Sequence, residues 1–120
     1  QYAGDVPVYA TSHLLSGTIN QAQPADLNGI FFCETPWLMN LSAPLQQQVV
    51  SQWPQAAGSL GRLYAMGSDA FMLTSRLTQL KSLPDSSVQG LTGLLTLSPT
   101  QRIVRQLQWA EFRDGLVQPL

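Results

Sequence analysis

One long amphipathic segment constrains the fold of this 120-residue chain more than any other feature. Between residues 59 and 83, apolar side chains recur at alternating intervals of three and four residues. Because an α-helix has 3.6 residues per turn, this spacing places them all on one face. We call this set the seam; it consists of Leu63, Met66, Ala70, Leu73, Leu77 and Leu80. The pattern predicts one long helix whose seam is buried.

Two glycines lie inside this predicted helix, where each costs about 1 kcal/mol relative to alanine. They are Gly61 and Gly67. Two interpretations are open at this point. The glycines allow close packing against another backbone, or they mark a joint between two segments.

Short β-type runs precede the long helix. Residues 6–11 and 29–34 are predicted strands, and the second run is continuously apolar rather than alternating. Such runs are typical of parallel strands that are covered on both faces. A shorter helix is predicted to start at Ser42 and Pro44, with the serine as its N-cap.

After the helix, the pattern changes to a meander of strands. Residues 94–97 and 102–109 predict a hairpin connected by residues 98–101. A last strand, residues 110–113, turns at Asp114 and Gly115. Strands separated by helices, followed by a terminal meander, predict an α/β fold with a mixed sheet.

Composition excludes several classes of function. The net charge is −1 and only 11% of the residues are charged, so a strongly basic surface for nucleic acid or for acidic lipids is not expected. No window offers the roughly 20 apolar residues of a membrane-spanning helix. Because the chain starts with Gln1 rather than methionine, we interpret it as a processed or excised segment.

The residues that most often carry chemistry are isolated from one another. His13 is the only histidine and follows the first predicted strand, and no Gly-x-Ser-x-Gly motif surrounds any serine. Cys33 is the only cysteine and lies in an apolar flank, so we expect it to be buried and slow to react. Residues 90–93 (GLTG) are reminiscent of a phosphate cradle, but no lysine follows them. We therefore expect no enzyme activity, no metal and no cofactor.

The three tryptophans are predicted to play different roles. Trp53 and Trp109 are expected to pack in the core, whereas Trp37, between a proline and a loop, is the best candidate for an exposed anchor. Exposed tryptophans are frequent anchors of protein interfaces. Trp37 is therefore the candidate contact for a partner.

The order of these elements resembles the type I periplasmic-binding-protein superfamily. Three segments are more specific: residues 36–38 (PWL), 62–70 (RLYAMGSDA) and 109–115 (WAEFRDG). Within this superfamily, they resemble the C-terminal end of the LpoA family of penicillin-binding-protein activator lipoproteins. The resemblance covers essentially all 120 residues and implies a C-terminal segment of a two-lobed domain, with part of a lobe and a hinge-region helix.

The resemblance also implies a function and several site residues. The family's members are non-catalytic regulators that stimulate a bifunctional class A penicillin-binding protein, on the periplasmic side of the outer membrane. Anchoring is expected through a lipidated N-terminus outside these residues, without membrane contact by this segment. The implied hinge residues are Gly61, Tyr64, Gly67 and Asp69, and the implied cleft-facing residues are Ser12 and His13. The alternative is a periplasmic lobe that binds or senses a solute.

Overall fold

The computed structural model of the chain describes residues 6–15, 24–39 and 43–120. Three α-helices and seven strands are formed among these residues, and three short 3₁₀ turns connect them. The helices are α1 (Pro36–Met39), α2 (Pro44–Gln52) and α3 (Gly61–Ser82). The strands are β1 (Val8–Ala10), β2 (Ile30–Glu34), β3 (Val88–Gln89), β4 (Leu94–Leu97), β5 (Ile103–Gln106), β6 (Gln108–Arg113) and β7 (Leu116–Pro119). The mixed α/β class and the single long helix are confirmed, whereas Ser42, the predicted helix cap, lies outside the described residues.

A four-stranded mixed sheet forms the first layer, in the order β1-β2-β6-β7. β1 and β2 are parallel, while β6 is antiparallel to both β2 and β7. One face of this sheet is buried by Phe32, Ala110 and Phe112, and the two phenylalanine rings stack with centroids 4.7 Å apart. Trp37, Leu38, Ala56 and Ala65 complete the core above this face.

The opposite face of the same sheet is aromatic and largely open. Tyr9 lies 5.7 Å from Phe31 and 5.8 Å from Trp109, measured between ring centroids. Cys33 belongs to β2, as predicted, but it is half-buried because its side chain points to this face. The expectation of a core position is wrong for Trp109, which is 46% exposed, and for Trp53, which is 47% exposed.

A second sheet contains β3, β4 and β5 in that order. The predicted hairpin is confirmed as the antiparallel pair of β4 and β5. The predicted return strand at residues 102–109 is in fact two strands, because the chain leaves the second sheet at Leu107 and enters the first sheet as β6. The turn at Asp114 and Gly115 is also present, with φ of 53° and 74°.

Helix α3 is formed where the apolar period predicts it, but it buries a different face. The buried residues are Gly61, Ala65, Asp69 and Leu80. The expectation of a buried seam is wrong for four of its six residues, since Leu63, Met66, Ala70 and Leu77 are exposed. Gly61 is the first residue of the helix rather than an interior one.

Candidate interaction site

A buried ion pair joins β2 to the start of α3. The Glu34 side chain lies on the same buried face of the sheet as Phe32, two residues earlier, and is 0% exposed. Arg62 binds it with two nitrogens: Nε donates to Oε1 at 3.1 Å, and Nη2 pairs with Oε2 at 2.5 Å. The backbone N–H of Thr35 donates to the same carboxylate at 2.7 Å. A buried carboxylate is stable only when its charge is paired in this way.

The same guanidinium reaches the loop that follows β1. Nη2 of Arg62 also donates to the carbonyl oxygen of Ser12 at 3.0 Å. Neither Glu34 nor Arg62 was among the predicted site residues. Glu34 could have been identified from the sequence, because an acidic residue at the end of a continuous apolar strand requires a cation nearby.

A second buried carboxylate holds the loop between β3 and β4. Asp69 is 4% exposed, and its two oxygens accept hydrogen bonds from the backbone N–H groups of Leu91 and Thr92, both at 2.8 Å. The Thr92 hydroxyl donates to Oδ2 as well. A Cβ at Gly90 would lie 2.5 Å from Asp69 Oδ2, so this approach requires glycine. The loop that is reminiscent of a phosphate cradle therefore does bind an anion, and that anion is the chain's own carboxylate.

Trp37 is buried, so the expectation of an exposed anchor is wrong. Its side chain is 3% exposed, and its indole N–H donates to the carbonyl oxygen of Ala56 at 3.1 Å. A Cβ at Gly61 would lie 2.8 Å from the indole nitrogen and 2.4 Å from the Ala56 oxygen. Gly61 therefore serves close packing, the first of its two interpretations. The backbone N–H of Trp37 donates to Leu91, which ties α1 to the loop held by Asp69.

Of the other two predicted hinge residues, Tyr64 packs at the edge of the core and Gly67 is exposed. Tyr64 is half-buried, its hydroxyl accepts a hydrogen bond from Gln55 at 3.1 Å, and its ring centroid lies 6.2 Å from that of Trp53. A Cβ at Gly67 would meet no atom within 4 Å, and α3 continues unbroken through this residue. Gly67 is thus neither a close-packing site nor a break in the helix. Whether this region moves between lobes stays a prediction.

The predicted cleft-facing residues form a 3₁₀ turn directly after β1. Ser12 is half-buried and is held through its carbonyl group by Arg62, whereas His13 is exposed. The nearest polar partner of the imidazole is the Thr11 hydroxyl, 3.5 Å from Nδ1. Among the described residues, no three His, Cys, Asp or Glu side chains come together as metal ligands would. None of the described helices combines the length and the apolar character that crossing a bilayer requires.

The chain shares its fold class and its family with known proteins. The fold is periplasmic-binding-protein-like: the chain superposes with a TM-score of 0.60, at 32% identity, on a structure described as "a putative branched-chain amino acid ABC transporter" from Chromobacterium violaceum. That match covers 90% of this chain and 35% of the other. The chain belongs to the family described as "LppC putative lipoprotein", whose model matches residues 1–115.

The relatives within this family share one description. Penicillin-binding protein activator LpoA from Pectobacterium parmentieri is 34% identical over 113 residues, which are 94% of this chain and 17% of the relative. LpoA from Haemophilus influenzae is 29% identical over 118 residues, 97% of this chain and 20% of the relative. The C-domain of the Haemophilus influenzae protein, described as a regulator of PBP1A, superposes with a TM-score of 0.80 at 27% identity. This superposition covers 99% of the chain and 38% of that domain. The chain therefore spans about a fifth or less of the length of these curated relatives.

Proposed function

We propose that this chain is part of a non-catalytic regulator that binds and stimulates a bifunctional class A penicillin-binding protein, a peptidoglycan synthase. The observation that carries this proposal is the superposition of 99% of the chain on a domain described as a regulator of PBP1A. We also propose that residues 1–120 are the C-terminal segment of a two-lobed domain. The presence of two separate sheets, with the chain passing from one to the other at Leu107, supports this view.

The geometry of the buried charges supports a structural rather than a catalytic role. A general acid or a nucleophile must reach a substrate with its reactive atom. The oxygens of Glu34 are bound by Arg62 and Thr35, and those of Asp69 are bound by the loop at residues 90–93. These groups hold the elements of the chain together, as a binding scaffold requires.

The match to a lipoprotein family supports the location that we propose. We place the whole protein on the periplasmic side of the outer membrane, anchored through a lipidated N-terminus outside these 120 residues. This segment itself would contact neither membrane nor nucleic acid. Its charge of −1 gives no electrostatic attraction for either.

A titration of purified class A synthase with the full-length protein tests the proposal. We expect saturable stimulation of peptide cross-linking and co-elution of the two proteins on size exclusion. An unrelated lipoprotein of similar size, without its lipid, is the control for crowding and for surface adsorption. A full-length protein that folds but neither co-elutes nor raises the cross-linking rate would contradict the proposal.

A second candidate function is solute binding or sensing. It is favoured by the superposition on the Chromobacterium violaceum transporter structure and by the exposed turn at Ser12 and His13. A thermal-shift screen of the full-length protein with amino acids, muropeptides and sugars tests it. A saturable rise in Tm at micromolar ligand that is lost in His13→Ala would support this function, because only a ligand bound to the folded state stabilises it.

A further inference from the structure

Strand β5 forms a free edge of the second sheet. It pairs with β4 on one side, and no described strand pairs with it on the other. All four of its residues are exposed, including two β-branched apolar side chains, Ile103 at 39% and Val104 at 50%. An edge strand presents a row of backbone N–H and C=O groups to which a further strand can bind. β5 is therefore accessible to an added strand.

The register of β5 shows which of its backbone groups face the free edge. The Ser98 N–H donates to the carbonyl oxygen of Arg102, so this carbonyl points toward β4. Because the direction alternates along an antiparallel strand, Val104 also faces β4, whereas the N–H and C=O groups of Ile103 and Arg105 face outward. These two residues lie about 7 Å apart along the strand, and each offers one donor and one acceptor to a partner.

The charges on this edge are all of one sign. Arg102 and Arg105 are exposed, and neither forms an ion pair with a described residue. Residues 86–110, which include the whole second sheet, contain no acidic residue. The stem of Arg105 lies against Gly93, where a Cβ would come within 3.0 Å of Arg105 Cγ, so glycine leaves room for this side chain. The edge therefore combines apolar surface with positive charge that no described residue neutralises.

We propose that β5 binds an extended acidic segment of the synthase as an added strand, an inference that rests on the proposed function. The segment would carry the pattern acidic, apolar, apolar, acidic opposite residues 102–105 (RIVR). Opposite charges that face each other across a strand pair stabilise it, and like charges destabilise it. Since RIVR has arginine at both ends, a second copy in register would place arginine opposite arginine. The charge therefore favours an acidic partner over a second copy of this chain.

Synthase binding by variants of the full-length protein tests the proposal. Arg102→Glu with Arg105→Glu reverses the charge of the edge, and Arg76→Glu with Lys81→Glu, on exposed residues of α3, is the control with the same change in net charge. We expect the first pair to raise the Kd for a purified class A synthase at least about ten-fold and the control pair less than about two-fold, because only the edge charges would face the partner. Ile103→Pro removes an outward N–H without removing a hydrogen bond to β4, so it should raise the Kd about five-fold more than Ile103→Ala, which keeps the N–H.

Hydrogen exchange at single residues identifies what binds the edge. In the full-length protein alone, the N–H groups of Ile103 and Arg105 should exchange fast, and saturating synthase should slow them at least about ten-fold. The N–H of Val104, which points to β4, is the control and should exchange slowly in both states.

Three results would overturn the proposal. The first is a Kd of the reversed-charge variant and of Ile103→Pro equal to that of the wild type. The second is protection of the outward N–H groups in the isolated monomer, which would show that another part of the same protein pairs with β5. The third is protection that rises with protein concentration in the absence of synthase, which would identify a second copy. If the wild-type protein itself does not bind the synthase, the proposed function fails and this inference fails with it.

Discussion

Two faces of helix α3 differ in burial, and the face with the larger apolar side chains is the more exposed one. From Gly61 to Asp69, the face that packs on the rest of the chain carries two small residues and one charged residue, Gly61, Ala65 and Asp69, and Leu80 is the fourth buried residue of the helix. The seam lies roughly a third of a turn further around the helix and carries the large aliphatic side chains. Four of its six residues, Leu63, Met66, Ala70 and Leu77, are exposed. The face with Gly61, Ala65 and Asp69, called the small face below, is buried through close approach and specific hydrogen bonds. The exposed seam residues offer apolar surface that a covering partner would remove from water.

This difference separates two kinds of stabilisation. On the small face, each contact has a defined partner: Gly61 meets the indole of Trp37, and Asp69 meets the backbone of residues 91 and 92. On the seam, Leu80 is buried within this chain, whereas Leu63, Met66, Ala70 and Leu77 are exposed, and their stabilisation would come from apolar area removed from water. The predictions below test the two faces separately, in the full-length protein and by denaturant unfolding unless another readout is named.

The largest effect is expected for Arg62→Met. It leaves the fully buried Glu34 carboxylate without its cation, and an unpaired buried charge costs about 3–5 kcal/mol. Arg113→Met is the matched control, because the Arg113 side chain is 59% exposed in its pair with Glu111, and exposed pairs contribute about 0–1 kcal/mol. Equal costs for the two variants would show that burial of Glu34 does not matter.

Asp69→Asn is expected to cost about 2–4 kcal/mol. Asparagine keeps one oxygen as an acceptor, but its NH₂ group replaces the other and leaves the N–H group of either Leu91 or Thr92 without a partner, which is costly for a buried donor. Asp85→Asn, on an exposed residue, is the control. If the loop at residues 90–93 is held by Asp69, its amides also exchange hydrogen faster in the variant. An unchanged exchange rate would contradict the anchoring role.

Gly61→Ala is expected to cost about 1–3 kcal/mol, as overpacking does. The new methyl group would lie 2.4 Å from the Ala56 carbonyl oxygen, so either α1 or the turn at residues 54–57 must shift. The fluorescence of Trp37 should change with it. A stability equal to that of the wild type would mean that the close approach is not needed.

The smallest effect is expected for Gly67→Ala. Since the new Cβ meets open space in a continuous helix, the substitution should raise the free energy of unfolding by about 0.5–1 kcal/mol. The hinge hypothesis predicts, in addition, a changed interlobe angle by small-angle scattering and weaker stimulation of the synthase. Scattering and stimulation identical to those of the wild type would refute the hinge, whatever the change in stability.

Local sequence patterns predicted the elements well. The apolar period located α3, and the β4–β5 hairpin and the turn at Asp114 follow from turn chemistry. The continuous apolar run of β2 is paired in parallel with β1, as predicted, but the expectation that it is covered on both faces is wrong, because it is antiparallel to β6 and the face with Phe31 and Cys33 is only half-buried. These features depend on residues that are neighbours in the chain. The resemblance of residues 36–38, 62–70 and 109–115 to LpoA proteins predicted the family.

What local patterns could not provide is the burial of individual side chains. Trp37 is buried by Ala56 and Gly61, about twenty residues away, although its immediate neighbours suggested a loop. Glu34 acquires its cation from Arg62, on another element. The break between β5 and β6 at Leu107 could not be predicted from composition either, because the residues on both sides of it favour β-strands. Such properties are set by tertiary contacts.

The most direct test of the account is the cost of Leu63→Ala in the full-length protein. Leu63 is the most exposed of the leucine and methionine side chains of the seam, at 59%. If the rest of the domain covers the seam, removing this side chain leaves a cavity, and the free energy of unfolding falls by about 2–5 kcal/mol. Thr78→Ala, on the same helix but off the seam, should change it by less than about 0.5 kcal/mol. A cost for Leu63→Ala as small as that of Thr78→Ala would show that the seam faces solvent and would contradict the account.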